Sequence, residues 1–116
     1  MKVTDLPPDQ LERWVAKGRG IEAFYPDEGG ELHYVANPAL PPRKWNPTRY
    51  WSQGGPIIEE ARIDLNWNTE GDGCWAASME PDILAEGETV LLAAMRAYVV
   101  SCFGEEVEAE PETAAG

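Results

Sequence analysis

The segment that most constrains the fold is the apolar stretch VLLAAMRAYVVSCF at residues 90–103. Thr89 before it is a good helix N-cap and Gly104 after it a good helix terminator, so the spacing predicts one helix with these bounds. Its apolar stripe is more than about 100° wide and must be buried, most simply against a sheet. We expect Leu92→Asp to abolish soluble expression. The stripe comprises Leu91, Leu92, Met95, Tyr98, Val99, Cys102 and Phe103.

Short strands supply the predicted sheet. They are residues 21–25, 31–36, 62–67 and 74–79. Turn residues at 26–30 separate the first two strands, and turn residues at 68–73 separate the last two, which predicts two antiparallel hairpins. We therefore predict an α+β fold in which a small antiparallel sheet of about four strands packs against helices on one face.

The other segments are predicted as one further helix and several loops. Leu11, Trp14 and Val15 recur at helical spacing, which predicts a helix over residues 5–18. Residues 37–49 contain four prolines and are predicted to form a surface loop. Thr48–Gln53 is predicted as a helical turn that Gly54-Gly55-Pro56 interrupts, and residues 80–88 as a polar loop.

Charge is distributed unevenly along the 116 residues. The formal net charge is −12, and the whole excess falls in residues 59–116, which carry two basic and 14 acidic side chains. Phosphate binding needs basic surface, so direct nucleic-acid binding is not expected. We predict a single domain over residues 1–107 and a disordered acidic tail over 108–116. A surface that mimics DNA and occupies a basic partner is the alternative for the acidic run.

The chemistry-bearing residues do not form a known catalytic or metal motif. Cys74 and Cys102 are expected to be reduced thiols, and His33 is expected in a strand. One histidine and two separated cysteines do not make a zinc site. No apolar window reaches the length of a membrane span. We expect no enzymatic activity, no cofactor, no metal and no membrane partner.

Several motifs together resemble one phage family. The string YWSQGGPIIE at residues 50–59 resembles the core motif of the NinX-like family of tailed-phage proteins, a family of unknown function. Three further matches, in the expected order, are Leu11–Gly18, Trp75-x-Ala77, and Thr89–Val99 with its ending at Gly104–Val107. Val90, where relatives often have proline, and the Pro-rich residues 37–47 depart from the pattern. The resemblance implies a phage or prophage gene product outside the virion structural core, and it supplies no catalytic residues. Residues 1–10 lack the apolar core of a signal peptide, which predicts a location in the host cytoplasm.

The predicted binding site is built around the Gly-Gly motif. A Gly-Gly pair followed by a helix start can present backbone amides to an anion, and nearby aromatic rings can stack a flat base. An arginine on the last helix can supply a bidentate phosphate contact. The predicted ligand-binding residues are Tyr50, Trp51, Gly54, Gly55, Trp75 and Arg96. The alternatives are a sterically required turn at the two glycines and a solvated or salt-bridged arginine.

Two functions from different classes follow. The first is a non-enzymatic binder that sequesters a small polar or nucleotide-like ligand, with an anti-defence role in the infected host. The second is an adaptor or inhibitor that contacts a host protein through the Pro-rich loop or the acidic tail. So small a sheet leaves edges to cover, so a homo-oligomer is also predicted.

Overall fold

The computed structural model describes residues 1–25 and 30–111. Most of the predicted turn at residues 26–30 lies outside the described residues, which include only Gly30 of it. The elements in chain order are a 3-10 turn (Val3–Asp5), α1 (Pro8–Gly18), β1 (Ala23–Phe24), β2 (His33–Tyr34), β3 (Arg43–Lys44), α2 (Trp51–Ala61), β4 (Asp64–Asn68), β5 (Cys74–Met79), β6 (Ile83–Gly87) and α3 (Val90–Phe103).

The strands form two antiparallel sheets of three. One has the order β1-β2-β3 and the other β4-β5-β6. In the second sheet Asn68 pairs with Cys74, and Trp75 pairs with Gly87. The α+β class is confirmed, with α3 lying on β5 and β6. The described strands number six in two sheets, rather than about four in one.

Helix α3 is the centre of the molecule and has the predicted bounds. Thr89 caps it, because its hydroxyl oxygen accepts a hydrogen bond of 3.1 Å from the Leu92 amide. The sheet covers one side of α3, and α1 and α2 cover others. Three of its alanines are therefore buried, together with Leu91, Met95, Tyr98 and Val99. The predicted burial of Cys102 is wrong, since the side chain is exposed.

Two glycines allow close packing on α3. A Cβ atom on Gly87 of β6 would lie 2.7 Å from the Ala93 backbone nitrogen, so only glycine lets the strand approach the helix there. A Cβ atom on Gly54 of α2 would lie 2.6 Å from both Leu91 Cδ2 and the Pro47 carbonyl oxygen. Both glycines therefore set the distance between elements rather than the conformation of a turn.

Helix α2 is continuous, so the predicted interruption at Gly54-Gly55-Pro56 is wrong. The three residues lie inside the helix, and the Gly54 amide donates to the Tyr50 carbonyl at 2.9 Å. Pro56 lies in the middle of α2 and lacks a backbone donor, so the helix continues past it with one internal hydrogen bond missing. The close approach of Leu91 and Pro47 explains why this helix contains a glycine that its propensity would disfavour.

Two segments predicted as loops have more structure than expected. Residues 80–88 contain β6, whose short alternating sequence ILAEG pairs with β5 along its length. The Pro-rich segment 37–49 contains β3, and its end turns inward, leaving Trp45 only 4% exposed. Trp45 is held by its backbone amide, which donates to the Leu32 carbonyl at 2.8 Å.

The two ends of the described chain pair with each other. The Val3 amide donates to the Glu105 carbonyl and the Val107 amide to the Met1 carbonyl, both at 2.9 Å. The Trp14 indole nitrogen, on α1, donates to the Glu108 carbonyl at 3.0 Å. The segment after α3 is therefore bonded to the fold at least as far as residue 108. The predicted disorder of residues 112–116 concerns positions outside the described residues.

Candidate functional site

The predicted corner lies inside α2, and its Gly54 amide is not free. This amide is used inside the helix, and the Gly54 Cα is covered by Leu91 and Pro47. Trp51 is 59% exposed and lies along the outside of α2, where its ring would be 3.8 Å from a Cβ on Gly55. Gly54 thus serves helix packing, and its amide does not take part in an anion site.

Trp75 and Arg96 each have their own partners on the second sheet. The Trp75 ring meets the Trp67 ring edge-on, with centroids 5.4 Å apart. The Trp67 side chain is 52% exposed. Arg96 Nη1 donates to the Glu86 carbonyl on β6 at 2.7 Å, and partial burial lowers the pKa of its guanidinium. The arginine is therefore engaged with the edge strand of the sheet.

A cavity of about 250 Å³ lies elsewhere, between α1 and the segment that leads into α2. We call it the Glu12 cavity. Of the six predicted residues, only Tyr50 lines it. Its lining residues are Asp9, Glu12, Gly30, Glu31, Leu32, Lys44, Trp45, Asn46, Arg49 and Tyr50.

Glu12 is a buried carboxyl, with only 6% of the residue exposed. The Thr48 hydroxyl donates to its Oε1 at 3.1 Å. With its amide nitrogen turned toward the carboxyl, Asn46 Nδ2 lies 2.9 Å from both Oε1 and Oε2. These partners are all donors, so they hold the group as a hydrogen-bond acceptor.

Burial is the main reason that the pKa of Glu12 is raised to about 7. Removing a carboxylate from water disfavours its charged form. The Asp9 charge raises the pKa further, while the Thr48 hydrogen bond and the Arg49 charge lower it. Near neutral pH both the protonated and the ionised forms of Glu12 are therefore populated.

Hydrogen bonds fix the wall opposite α1. The Trp45 indole donates to the Glu12 backbone carbonyl at 2.7 Å in a buried contact. The Gln53 side chain, on α2, accepts a hydrogen bond of 2.6 Å from the Asn46 backbone amide and donates one to the Lys44 backbone carbonyl. The segment from Lys44 to Asn46 is thereby tied to both helices, which gives the cavity a defined shape.

The charged side chains at the mouth differ in their partners. Lys44 Nζ lies 3.2 Å from Glu31 Oε2, so these two charges offset each other. The Arg49 guanidinium makes no hydrogen bond or ion pair with residues 1–25 or 30–111. Arg49, unlike Lys44, is therefore available to bind an anionic group of a ligand.

Other reactive groups have ordinary surroundings. The Cys74 thiol donates to Glu86 Oε2 at 2.8 Å, and this hydrogen bond raises its pKa. His33 Nδ1 lies 2.9 Å from the Glu31 carbonyl oxygen. Among the described residues, no group of three or more histidine, cysteine or acidic side chains is placed to hold a metal ion. None of the described helices is long and apolar enough to cross a membrane.

A family comparison covers most of the chain, including both walls of the cavity. The family model for the bacteriophage P22 protein NinX matches residues 2–102. The chain belongs to the NinX family. No curated protein matches this NinX-family chain. The matched region runs from the 3-10 turn nearly to the end of α3, so the resemblance noted in the sequence is confirmed.

Sequence reasoning missed most residues of the Glu12 cavity, although one signal was present. The run WNPTRY at residues 45–50 places an indole, an amide, a hydroxyl, a guanidinium and a phenol within six positions. Such a density of polar and aromatic groups beside a proline is a reason to suspect a site. Glu12 gave no comparable signal, because an acidic residue early in a helix is usually solvated.

Proposed function

We propose that this phage protein acts without catalysis, by holding a small polar, nucleotide-like ligand in the Glu12 cavity. The observation that carries the proposal is a nearly buried carboxyl, held by donors, in a cavity whose Arg49 makes no ion pair with residues 1–25 or 30–111. Ligand sites typically combine apolar or aromatic walls with a few placed polar groups. Trp45 and Tyr50 supply the aromatic part of that pattern here.

The size of the cavity favours a small ligand. Drug-sized ligands occupy sites of about 300–1,000 Å³, and the Glu12 cavity holds about 250 Å³. A base, nucleoside or mononucleotide matches this volume better than a dinucleotide. The role that suits a phage accessory protein is to sequester such a molecule in the host cytoplasm, where it serves as a defence signal.

Binding without turnover is the mode that the lining residues favour. They include no serine, cysteine or histidine. Glu12 has fixed donor partners, which hold it as an acceptor for a ligand rather than as a base for a neighbouring nucleophile. A protein of this kind acts by stoichiometric capture, so its effect in cells should scale with its abundance relative to the ligand.

The binding proposal is tested by calorimetric titration with nucleosides, nucleoside monophosphates, cyclic nucleotides and ADP-ribose. We expect at least one to bind, and Arg49→Ala to weaken the phosphorylated ligands by about tenfold, the usual size of a lost charged hydrogen bond. Arg43→Ala is the matched control, because Arg43 is an exposed arginine outside the cavity. Absence of binding by the whole panel would contradict the proposal.

An adaptor or inhibitor that contacts a host protein is the second candidate. It is favoured by exposed apolar side chains on and beside the Pro-rich loop, where Leu40 is 59% exposed and Val35 is 47% exposed. Capture from host lysate with Leu40→Ser and with a chain ending at residue 107 tests the loop and the acidic tail separately. Retention of the same partner by both variants would argue against these contact surfaces.

A further inference from the structure

The α1 wall of the Glu12 cavity presents acceptors. Asp9 and Glu12 are three residues apart, which places their side chains on the same face of the helix. Both line the cavity, and the charge of Asp9 acts on Glu12. An ionised carboxylate can only accept hydrogen bonds. A ligand edge that meets this wall must therefore supply donors.

The Glu12 carboxylate has room for one more donor. Two oxygens offer about four lone-pair positions, of which Thr48 uses one on Oε1 and Asn46 one on each oxygen. The remaining position is on Oε2. Asp9 is exposed and makes no hydrogen bond or ion pair with the described residues, so its oxygens are also open.

The opposite wall of the cavity presents a cation and an aromatic ring. Arg49, which has no ion-pair partner among the residues that the structure describes, suits a phosphate, and Tyr50 offers a half-exposed ring for stacking. A ligand that satisfies both walls needs N–H donors on one edge, a flat ring and an anionic group. Purine nucleotides combine these three features.

We propose that the ligand is a guanine nucleotide, with its N1–H donating to Glu12 and its 2-amino group to Asp9. This inference rests on the binding function proposed above. Adenine presents a ring acceptor where guanine presents N1–H, so it would place lone pairs against the Glu12 carboxylate. Hypoxanthine keeps N1–H and lacks the 2-amino group, so it separates the two contacts.

The test is titration of the full chain with GMP, IMP and AMP at a pH above 7, where Glu12 is ionised and cannot donate to adenine. L-arginine is included as a ligand that has donors and a carboxylate but no aromatic ring. We expect GMP to bind most tightly, IMP to be weaker, and AMP to be weaker than GMP by at least about tenfold. In Asp9→Ala, which removes both carboxylate oxygens, the difference in affinity between GMP and IMP should disappear. Asp64→Ala, which removes an exposed carboxylate on β4, is the control and should leave that difference as it is.

Each other outcome overturns something specific. Equal binding of AMP and GMP, or binding of L-arginine alone, overturns the guanine assignment and leaves the cavity as a binding site. A preference for GMP over IMP that survives in Asp9→Ala overturns the contact with the 2-amino group. If none of the four ligands binds while another nucleotide does, the assignment fails and the proposed function stands; if no nucleotide binds, both fail.

Discussion

At the scale of single residues, buried polar and small side chains decide most of what distinguishes this chain. Glu12 accepts donors from Thr48 and Asn46 in a site that water scarcely reaches. Gly54 leaves space that Leu91 and the Pro47 carbonyl fill. Neither role is visible in composition, because each depends on which atoms the fold brings beside the residue.

Glu12→Gln should change how stability depends on pH. The folded-state pKa of Glu12, about 7, lies above the unfolded value of 4.5. The folded state therefore binds the proton more tightly, and this contribution to stability is lost as pH rises through about 7. Arg49 and Asp9 are the charged neighbours that set the exact midpoint.

The measurement is the free energy of unfolding of both proteins between about pH 5 and pH 8. We expect wild type to lose stability relative to Glu12→Gln by an amount on the order of a few kcal/mol over that range. The comparison removes the background from the other acidic groups, which both proteins share. Parallel curves would show that Glu12 does not titrate in this window.

Gly54→Ala should destabilise the fold, whereas Gly55→Ala should not. The new methyl group on residue 54 would meet Leu91 Cδ2 and a backbone oxygen at 2.6 Å, and a backbone atom cannot rotate away. We expect a loss of about 1–3 kcal/mol, the usual cost of overpacking. At residue 55 the nearest atom is 3.8 Å away, on Trp51, so the gain in helix propensity should leave stability equal or higher. Denaturant melts of the two variants give the comparison.

At the scale of elements, α3 is held from several sides. It packs on β5, β6, α1 and α2, so even its alanines are inaccessible to water. Met95 is fully buried, while Leu92, which the sequence placed in the same stripe, is half-buried. The helix therefore has a buried apolar face, but the most buried positions of that face include alanines, which contribute little to a hydrophobic pattern in the sequence.

Met95→Ala should cost more than Leu92→Ala. Truncating a fully buried methionine typically costs about 2–5 kcal/mol, since a cavity remains where the side chain was. A half-buried leucine loses less transfer energy and leaves a partly open space that water can fill. Urea titration of both variants checks the order, and a larger loss for Leu92→Ala would place the centre of the stripe elsewhere.

The elements differed in how far their sequences determined them. Helix α3 and the β4–β5 hairpin were predicted because each combines a regular apolar period with clear end signals. Helix α2 was misread, since Gly-Gly-Pro usually ends a helix and only the approach of Leu91 shows why it is kept. Strand β6 was missed because its five residues are too short to establish a period against acidic neighbours.

At the scale of the whole molecule, the chain closes on itself. The segment after α3 pairs with the first residues, and Trp14 binds the Glu108 carbonyl. The Glu12 cavity likewise joins α1, residues 30–32 and residues 44–50, which are far apart in sequence. A single sequence does not reveal which distant segments meet. For this reason Tyr50 was predicted as a site residue, whereas Glu12 and Arg49 of the same cavity were not.

A chain that ends at residue 104 should be less stable than one that ends at residue 111. The shorter chain loses the acceptors for the Val3 amide and the Trp14 indole. Each lost hydrogen bond costs roughly 1 kcal/mol, and exposure of the apolar surface under Val107 adds to it. Thermal melts of the two truncations and the full chain provide the measurement, with the chain ending at 111 expected to match the full chain.

The oligomeric state is a separate prediction. We expect a homo-oligomer, because short sheets leave strand edges to cover. Native mass spectrometry measures the assembly and any small molecule that purifies with it. A monomeric mass would contradict the predicted homo-oligomer. The absence of a bound small molecule would mean that any ligand has to come from the infected cell.

The position of the Trp45 indole gives the molecule an intrinsic optical reporter. This ring lines the Glu12 cavity and is almost inaccessible to solvent, whereas the rings of Trp51 and Trp67 stand in water. A soluble quencher such as iodide should therefore extinguish the emission of the exposed indoles and spare that of the buried ones, Trp45 and Trp14. Trp45 lines the cavity and Trp14 does not, so a change in the residual fluorescence when a ligand is added reports occupancy, without a label and without an assay of activity.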